Sequence, residues 1–76
     1  EGIEMFPNPV TDDLEIKIVN PGKNQIIISD GFGKQIEYIG DVENGINIPM
    51  TSFVSGCYFI EIRMKDRSVI QKVIKE

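Results

Sequence analysis

Few residues in this sequence have the types and spacing that chemistry requires. Cys57, in the run Gly56-Cys57-Tyr58-Phe59-Ile60, is the single thiol, and the chain contains no histidine. A nucleophilic cysteine needs a base or cation beside it to hold the thiolate, and Ser-His-Asp and Cys-His arrangements both need an imidazole. Cys57 therefore reads as a small hydrophobe packed in a strand. One cysteine also excludes an internal disulfide, and zinc sites built from Cys and His are excluded by the missing imidazole.

The other candidates are weak. Asp12, Asp13 and Glu15 place three carboxylates close together, but the spacing of a calcium loop, with its Gly and closing Glu, is absent. They fall in a turn and on the wet face of a strand, where carboxylates are simply hydrated. Gly31-Phe32-Gly33 resembles part of a phosphate-binding loop, yet no third glycine completes it and no helix follows. It reads as a hairpin turn. A carbohydrate site needs an exposed aromatic platform, to which Phe32, Tyr38 and Phe59 are the available contributors. No catalytic residue, metal ligand or cofactor is expected, and the chain reads as a non-enzyme.

The elements that position these residues are strands. Leu14, Ile16 and Ile18 alternate with Glu15 and Lys17, the period-two pattern of a half-buried strand. Gln25-Ile26-Ile27-Ile28-Ser29 is an unbroken apolar run, suited to a strand packed on both faces. Ile36, Tyr38 and Val42 are expected to continue the inward pattern, and Ile46 and Ile48 form a brief strand ended or placed at an edge by Pro49. Tyr58, Ile60, Ile62 and Met64 alternate with Phe59, Glu61 and Arg63, which assigns Tyr58 to the core. Val69 to Ile74 makes the last strand, with either Ile70/Ile74 or Val69/Val73 facing inward.

Turns separate the strands. Asn20-Pro21-Gly22 combines a fixed φ with a permissive glycine, and Asp30-Gly31-Phe32-Gly33 offers two glycines for positive φ. Asn44-Gly45 is the pair that a tight hairpin prefers, and Lys65-Asp66-Arg67-Ser68 closes the final hairpin. Gly33, Asn44, Gly45 and Gly56 are structural on this reading. Six or seven short strands at regular spacing predict an all-β, two-sheet sandwich.

Composition bounds the rest. The 76 residues make one small domain, 41% hydrophobic and 26% charged, the balance of a globular unit. A net charge of −4 repels phosphate backbones, so nucleic acid is excluded as a partner. Nothing approaches the roughly 20 apolar residues that span a bilayer as a helix, and no signal segment opens the chain. The first residue is Glu1, not Met, so the expectation is a fragment of a longer protein.

One further constellation is positional. Met5-Phe6-Pro7-Asn8-Pro9-Val10 brackets Asn8 between two prolines, which is expected to hold the backbone extended. Thr11, Asp12 and Asp13 are then expected to hydrogen-bond the local backbone and turn the chain into the first core strand.

The order of these features resembles the C-terminal sorting domain of proteins exported by the bacterial type IX (Por) secretion system. Phe6-Pro7-Asn8-Pro9 is followed by Leu14-Glu15-Ile16-Lys17, then Ile28-Ser29-Asp30 and Gly33-Lys34. Ile46-Asn47-Ile48 leads into Phe53-Val54-Ser55-Gly56-Cys57-Tyr58, similar to the family's Leu-Pro-x-Gly-x-Tyr segment, and Lys72-Val73-Ile74-Lys75-Glu76 is similar to its basic-apolar ending. Phe53 and Val54 stand where Leu and Pro are usual, Cys57 where Val or Ile is common, and the last turn lacks the frequent Gly.

The resemblance implies an immunoglobulin-like sandwich over residues 1–76, joined to an N-terminal cargo domain. It also implies passage through the periplasm, recognition by an outer-membrane translocon, and removal at the cell surface by a sortase-like peptidase. On the residues themselves, the hairpin from Tyr58 to Glu76 is the candidate address, with Lys72, Val73, Ile74, Lys75 and Glu76 as recognition residues. An outer strand at a chain terminus offers unpaired backbone groups to a receptor strand. Lys72 and Lys75 either add charge complementarity or merely discourage edge pairing, and the exposed edge also permits self-association. Pro7, Asn8, Pro9, Gly33, Lys34, Gly56 and Tyr58 are read as mainly structural. The competing class is an immunoglobulin-like module for carbohydrate or surface adhesion at the end of a secreted enzyme.

Overall fold

Alternating apolar residues can bury one face of a sheet only if a second layer covers it. In the computed structural model, which describes residues 2–20 and 22–76, two sheets do so, with no helix among the described residues. The strands are β1 (Ile3–Phe6), β2 (Asp13–Ile18), β3 (Asn24–Asp30), β4 (Gln35–Val42), β5 (Gly45–Pro49), β6 (Gly56–Arg63) and β7 (Ser68–Lys75). One sheet has the order β1-β2-β5 and the other β4-β3-β6-β7, with every pairing between strands antiparallel. This three-plus-four arrangement is an immunoglobulin-like sandwich, its fourth strand paired beside the third.

The core is what the alternation selects. Leu14, Ile16 and Ile18 of β2 face Ile26 and Ile28 of β3 and Tyr58, Ile60 and Ile62 of β6 in a single cluster. Burying each such side chain contributes roughly 1.5–3 kcal/mol. As expected for a strand packed on both faces, Ile27 is also buried, yet it lies apart from that cluster, on the outer face of the four-stranded sheet. The last strand adopts the Val69/Val73 phase: Val73 is fully buried and Val69 packs on the core, while Ile70 and Ile74 face outward.

Four expectations are corrected. First, Ile36 and Tyr38 do not point inward. Register shifts at both ends of the β3–β4 pairing place Tyr38 opposite outward-facing Ile27 and leave Ile36 in an irregularity, so both are about half exposed while Val42 is buried. Second, Asn44-Gly45 closes no hairpin, because β4 and β5 belong to different sheets. The pair carries the chain across the sandwich, where the Asn44 carbonyl accepts from the Ile18 N–H at 3.0 Å. Third, only Gly33 of the Asp30–Gly33 turn has positive φ; Gly31 does not. Fourth, the strand pattern omitted β1, whose four residues pair with β2 from Ile3↔Ile18 to Phe6↔Glu15.

The final hairpin closes as expected, with the Met64 N–H donating to the Arg67 carbonyl at 2.8 Å. Pro21, in the expected turn at residues 20–22, lies outside the described residues.

Gly33, Asn44, Gly45 and Gly56 all have positive φ, but they are not equivalent. A Cβ at Gly45 would collide with the Ile16 carbonyl oxygen, whereas one at Gly33 would meet nothing within 4 Å. Gly45→Ala should therefore destabilise by about 3 kcal/mol or more and Gly33→Ala by about 1 kcal/mol. Urea unfolding of the two variants measures the difference, and equal losses would contradict the close approach of β5 to β2.

Candidate functional site

The sandwich has two distinct ends. At one, the Gly2 carbonyl accepts from the Val19 N–H at 2.6 Å, beside the crossing at Asn44 and the β6–β7 turn at Arg67. At the other, four segments far apart in sequence lie side by side. Asp30 pairs with Tyr58, Gly56 pairs with Lys75, and Lys75 forms a parallel bridge with Val10. The motif residues Pro7-Asn8-Pro9, Gly33-Lys34, Gly56-Tyr58 and Lys72–Glu76 thus converge on one end.

Asn8 joins the first and last of these segments through its side chain. Its Nδ2 donates to the Lys72 carbonyl at 3.0 Å, and its Oδ1 accepts from the Ile74 N–H at 2.9 Å. Val10 continues the contact, donating to the Ile74 carbonyl at 2.8 Å and accepting from the Glu76 N–H at 2.9 Å. Val10 is itself fully buried. The expectation of a terminal strand with unpaired backbone groups is therefore corrected: over Lys72 to Glu76 the outer edge of β7 is occupied by the Asn8–Val10 segment.

Three neighbouring details also differ. The Phe6–Pro7 and Asn8–Pro9 peptide bonds are both cis, and the segment bends across to the other sheet instead of running extended. The turn into β2 is tied by a backbone bond from the Met50 N–H to the Asp12 carbonyl at 2.7 Å, in place of the expected side-chain bonds of Thr11, Asp12 and Asp13. Lys75 is buried on the Val73 side of β7, its Nζ donating to the main-chain oxygen of Glu76 at 3.0 Å, so only Lys72 of the two lysines is exposed.

Across the end, Tyr58 at the start of β6 buries its ring, and its hydroxyl donates to the Val54 carbonyl at 2.6 Å. This is the tyrosine corner of immunoglobulin-like sandwiches. The Phe53 ring stacks edge-on against Tyr58 at 5.3 Å between centroids. Asp30 fixes the adjoining turn, its Oδ1 accepting from the Phe32 and Lys34 N–H groups, both at 2.9 Å. Cys57 is half-buried and faces the outer side of the sheet.

A model of the secretion system C-terminal sorting domain family matches residues 4–76. The chain belongs to that type IX secretion family. A comparison with curated proteins finds no match.

In the sorting domain, the other candidate sites do not assemble. Asp12 and Asp13 are exposed and Glu15 lies on the outer face of β2; among the described residues no three His, Cys, Asp or Glu side chains form a metal-binding group. Tyr38 and Phe59 lie on the outer face of the four-stranded sheet with β3 between them, while Phe32 is on the turn, so the three aromatics form no platform. A hollow of about 720 Å³ beside β2 and β5 has Glu15 and Lys17 as the charged members of its described lining. Val10, which reaches the last strand, went unmarked in the sequence because a single apolar residue has no periodicity.

Loss of the Asn8 bonds should loosen β7 without removing core. Asn8→Ala is expected to destabilise by about 1 kcal/mol, and Tyr58→Phe, which leaves the Val54 carbonyl unpartnered, by a similar amount. Thermal unfolding of both variants checks these values, and no change in either would show that its hydrogen bond contributes nothing.

Proposed function

We propose that the domain directs its parent protein through the type IX system and across the outer membrane, and is then removed at the cell surface. The observation that carries this reading is the family match over residues 4–76, supported by the convergence of the motifs on one end of the sandwich. The domain works as a folded shape and carries no catalytic activity of its own. Its partners are the translocon, a sortase-like peptidase and the N-terminal cargo, and its route runs through the periplasm to the surface or the medium.

Recognition is proposed to use Lys72, Val73, Ile74, Lys75 and Glu76 in their folded arrangement. Of these, Lys72 and Ile74 present side chains on the outer face, and Val73 is core. Removing Val73 to Glu76 would block export, but it would also strip Val10 of both its backbone partners and Asn8 of the Ile74 N–H, so the truncation confounds recognition with folding. The double variant Lys72→Glu/Ile74→Ser changes the surface and leaves the backbone bonds of β7 in place.

The experiment is to fuse residues 1–76 to a periplasmic reporter in a host carrying this secretion system. The reporter should leave the cell and, by mass spectrometry, lack the domain. An adhesion module of the same fold would remain attached to the mature protein. The Lys72→Glu/Ile74→Ser fusion should stay folded in the periplasm, and normal export of it would exclude these side chains from the address.

A further inference from the structure

Two rigid turns at the motif-bearing end hold apolar side chains out in water. Phe32 is 100% exposed, Val54 77% and Ile36 50%. They are not loosely held. The Phe32 turn is fixed by the two bonds to Asp30 Oδ1 and by Gly33 N–H to Asp30 carbonyl at 3.0 Å. The Val54 turn is fixed by Tyr58 and by Phe53 N–H to Met50 carbonyl at 3.0 Å. Scattered surface hydrophobes are ordinary; several clustered on fixed backbone need an explanation.

Between and beside these turns lie two adjoining hollows. One, about 430 Å³, is lined by Ile36, Glu37, Ser52 and Phe53 together with Asp30, Val54 and Tyr58. The other, about 270 Å³, shares those last three residues and is walled by Phe32. Neither is lined by a lysine or arginine, and both carboxylates present, Asp30 and Glu37, are acidic groups without a basic partner in the lining. Phe32, fully exposed, contributes nothing to the core, so the whole of its apolar area is available for burial against another molecule.

The geometry points to this double groove as a docking surface for a protein partner outside the chain: a segment that presents an apolar side chain beside a Lys or Arg. The apolar side chain would fill the hollows on either side of Val54, and the base would face Glu37 at the rim. Fixed turns are already in the bound shape and lose little entropy on binding, and a few buried anchors carry most of the energy of such a contact. A net charge of −4 favours encounter with a basic partner. Cargo is a poor occupant, because chain preceding residue 2 joins at the opposite end, beside Val19 and Arg67. The inference rests on the sorting reading, in which the partner belongs to the export machinery.

The test uses the reporter fusion with Phe32→Ser/Val54→Ser, with Glu37→Lys, and with a photoreactive phenylalanine at position 32. Wild-type fusion must be exported; its failure would overturn the sorting reading itself. Given that export, the double serine variant should lose about tenfold or more of it while unfolding within about 3 °C of the parent, and Glu37→Lys should reduce it as well. Photocrosslinking should yield one heterologous protein adduct. Undiminished export of the double serine variant would overturn the docking surface, and undiminished export of Glu37→Lys would overturn the basic partner group. An adduct to a second copy of the chain or to the fused cargo would overturn the external partner.

Discussion

Strand β7 has a neighbour in its own sheet on one side only, and what covers the other side determines how the rest of the domain is organised. The chain leaves β1, bends through Pro7-Asn8-Pro9, and places Asn8 and Val10 against Lys72, Ile74 and Glu76 before returning to the first sheet as β2. Four hydrogen bonds thereby join residues more than sixty positions apart and close the open edge where the strand ends. Because Val10 is fully buried, the same crossing seals the core between the sheets. The C-terminal segment is an integral part of the folded unit, so its presentation depends on the start of the domain being in place.

That closure divides the surface. The outer face of the three-stranded sheet sets Glu4 opposite Lys17, with Lys17 Nζ 5.6 Å from the centre of the Phe6 ring. The four-stranded sheet shows Tyr38, Ile70 and Ile74 to solvent, and its lower turns carry Phe32 and Val54. Most of the exposed large apolar side chains lie on this sheet or on the turns at its motif-bearing end, with Val19 at the opposite end and Phe6 on the other sheet as exceptions.

How much of this was legible depends on the length scale of the signal. Strands β2 and β6 alternate cleanly, and their core residues follow from periodicity alone, whereas the unbroken apolar run of β3 marks a buried strand without saying which of its isoleucines face the core. The last strand has apolar residues at 69, 70, 73 and 74, so both phases satisfy alternation, and only its pairing to β6 and Val10 decides between them. Strand β4 misled because register shifts break the period-two count, which a sequence does not display. Asn44-Gly45 has the backbone geometry of a turn but serves a crossing between sheets, a choice made by tertiary packing. The family motifs were readable as an ordered series, yet the bonding of Asn8 to β7 spans most of the chain and has no local trace. The groove was invisible for a related reason: exposure of Phe32 and Val54 reflects where two turns meet, not any repeat.

The central claim is that β7 is closed along its C-terminal half and open before it. Alternation along an antiparallel strand puts the amides of Ile70, Lys72, Ile74 and Glu76 on the outer side, where only Ile74 and Glu76 meet partners, Asn8 and Val10. Residue-resolved native-state hydrogen exchange separates the two pairs. The account predicts that the Ile74 and Glu76 amides are protected comparably to that of Val73, while those of Ile70 and Lys72 exchange quickly. Equally fast exchange at all four positions would contradict it.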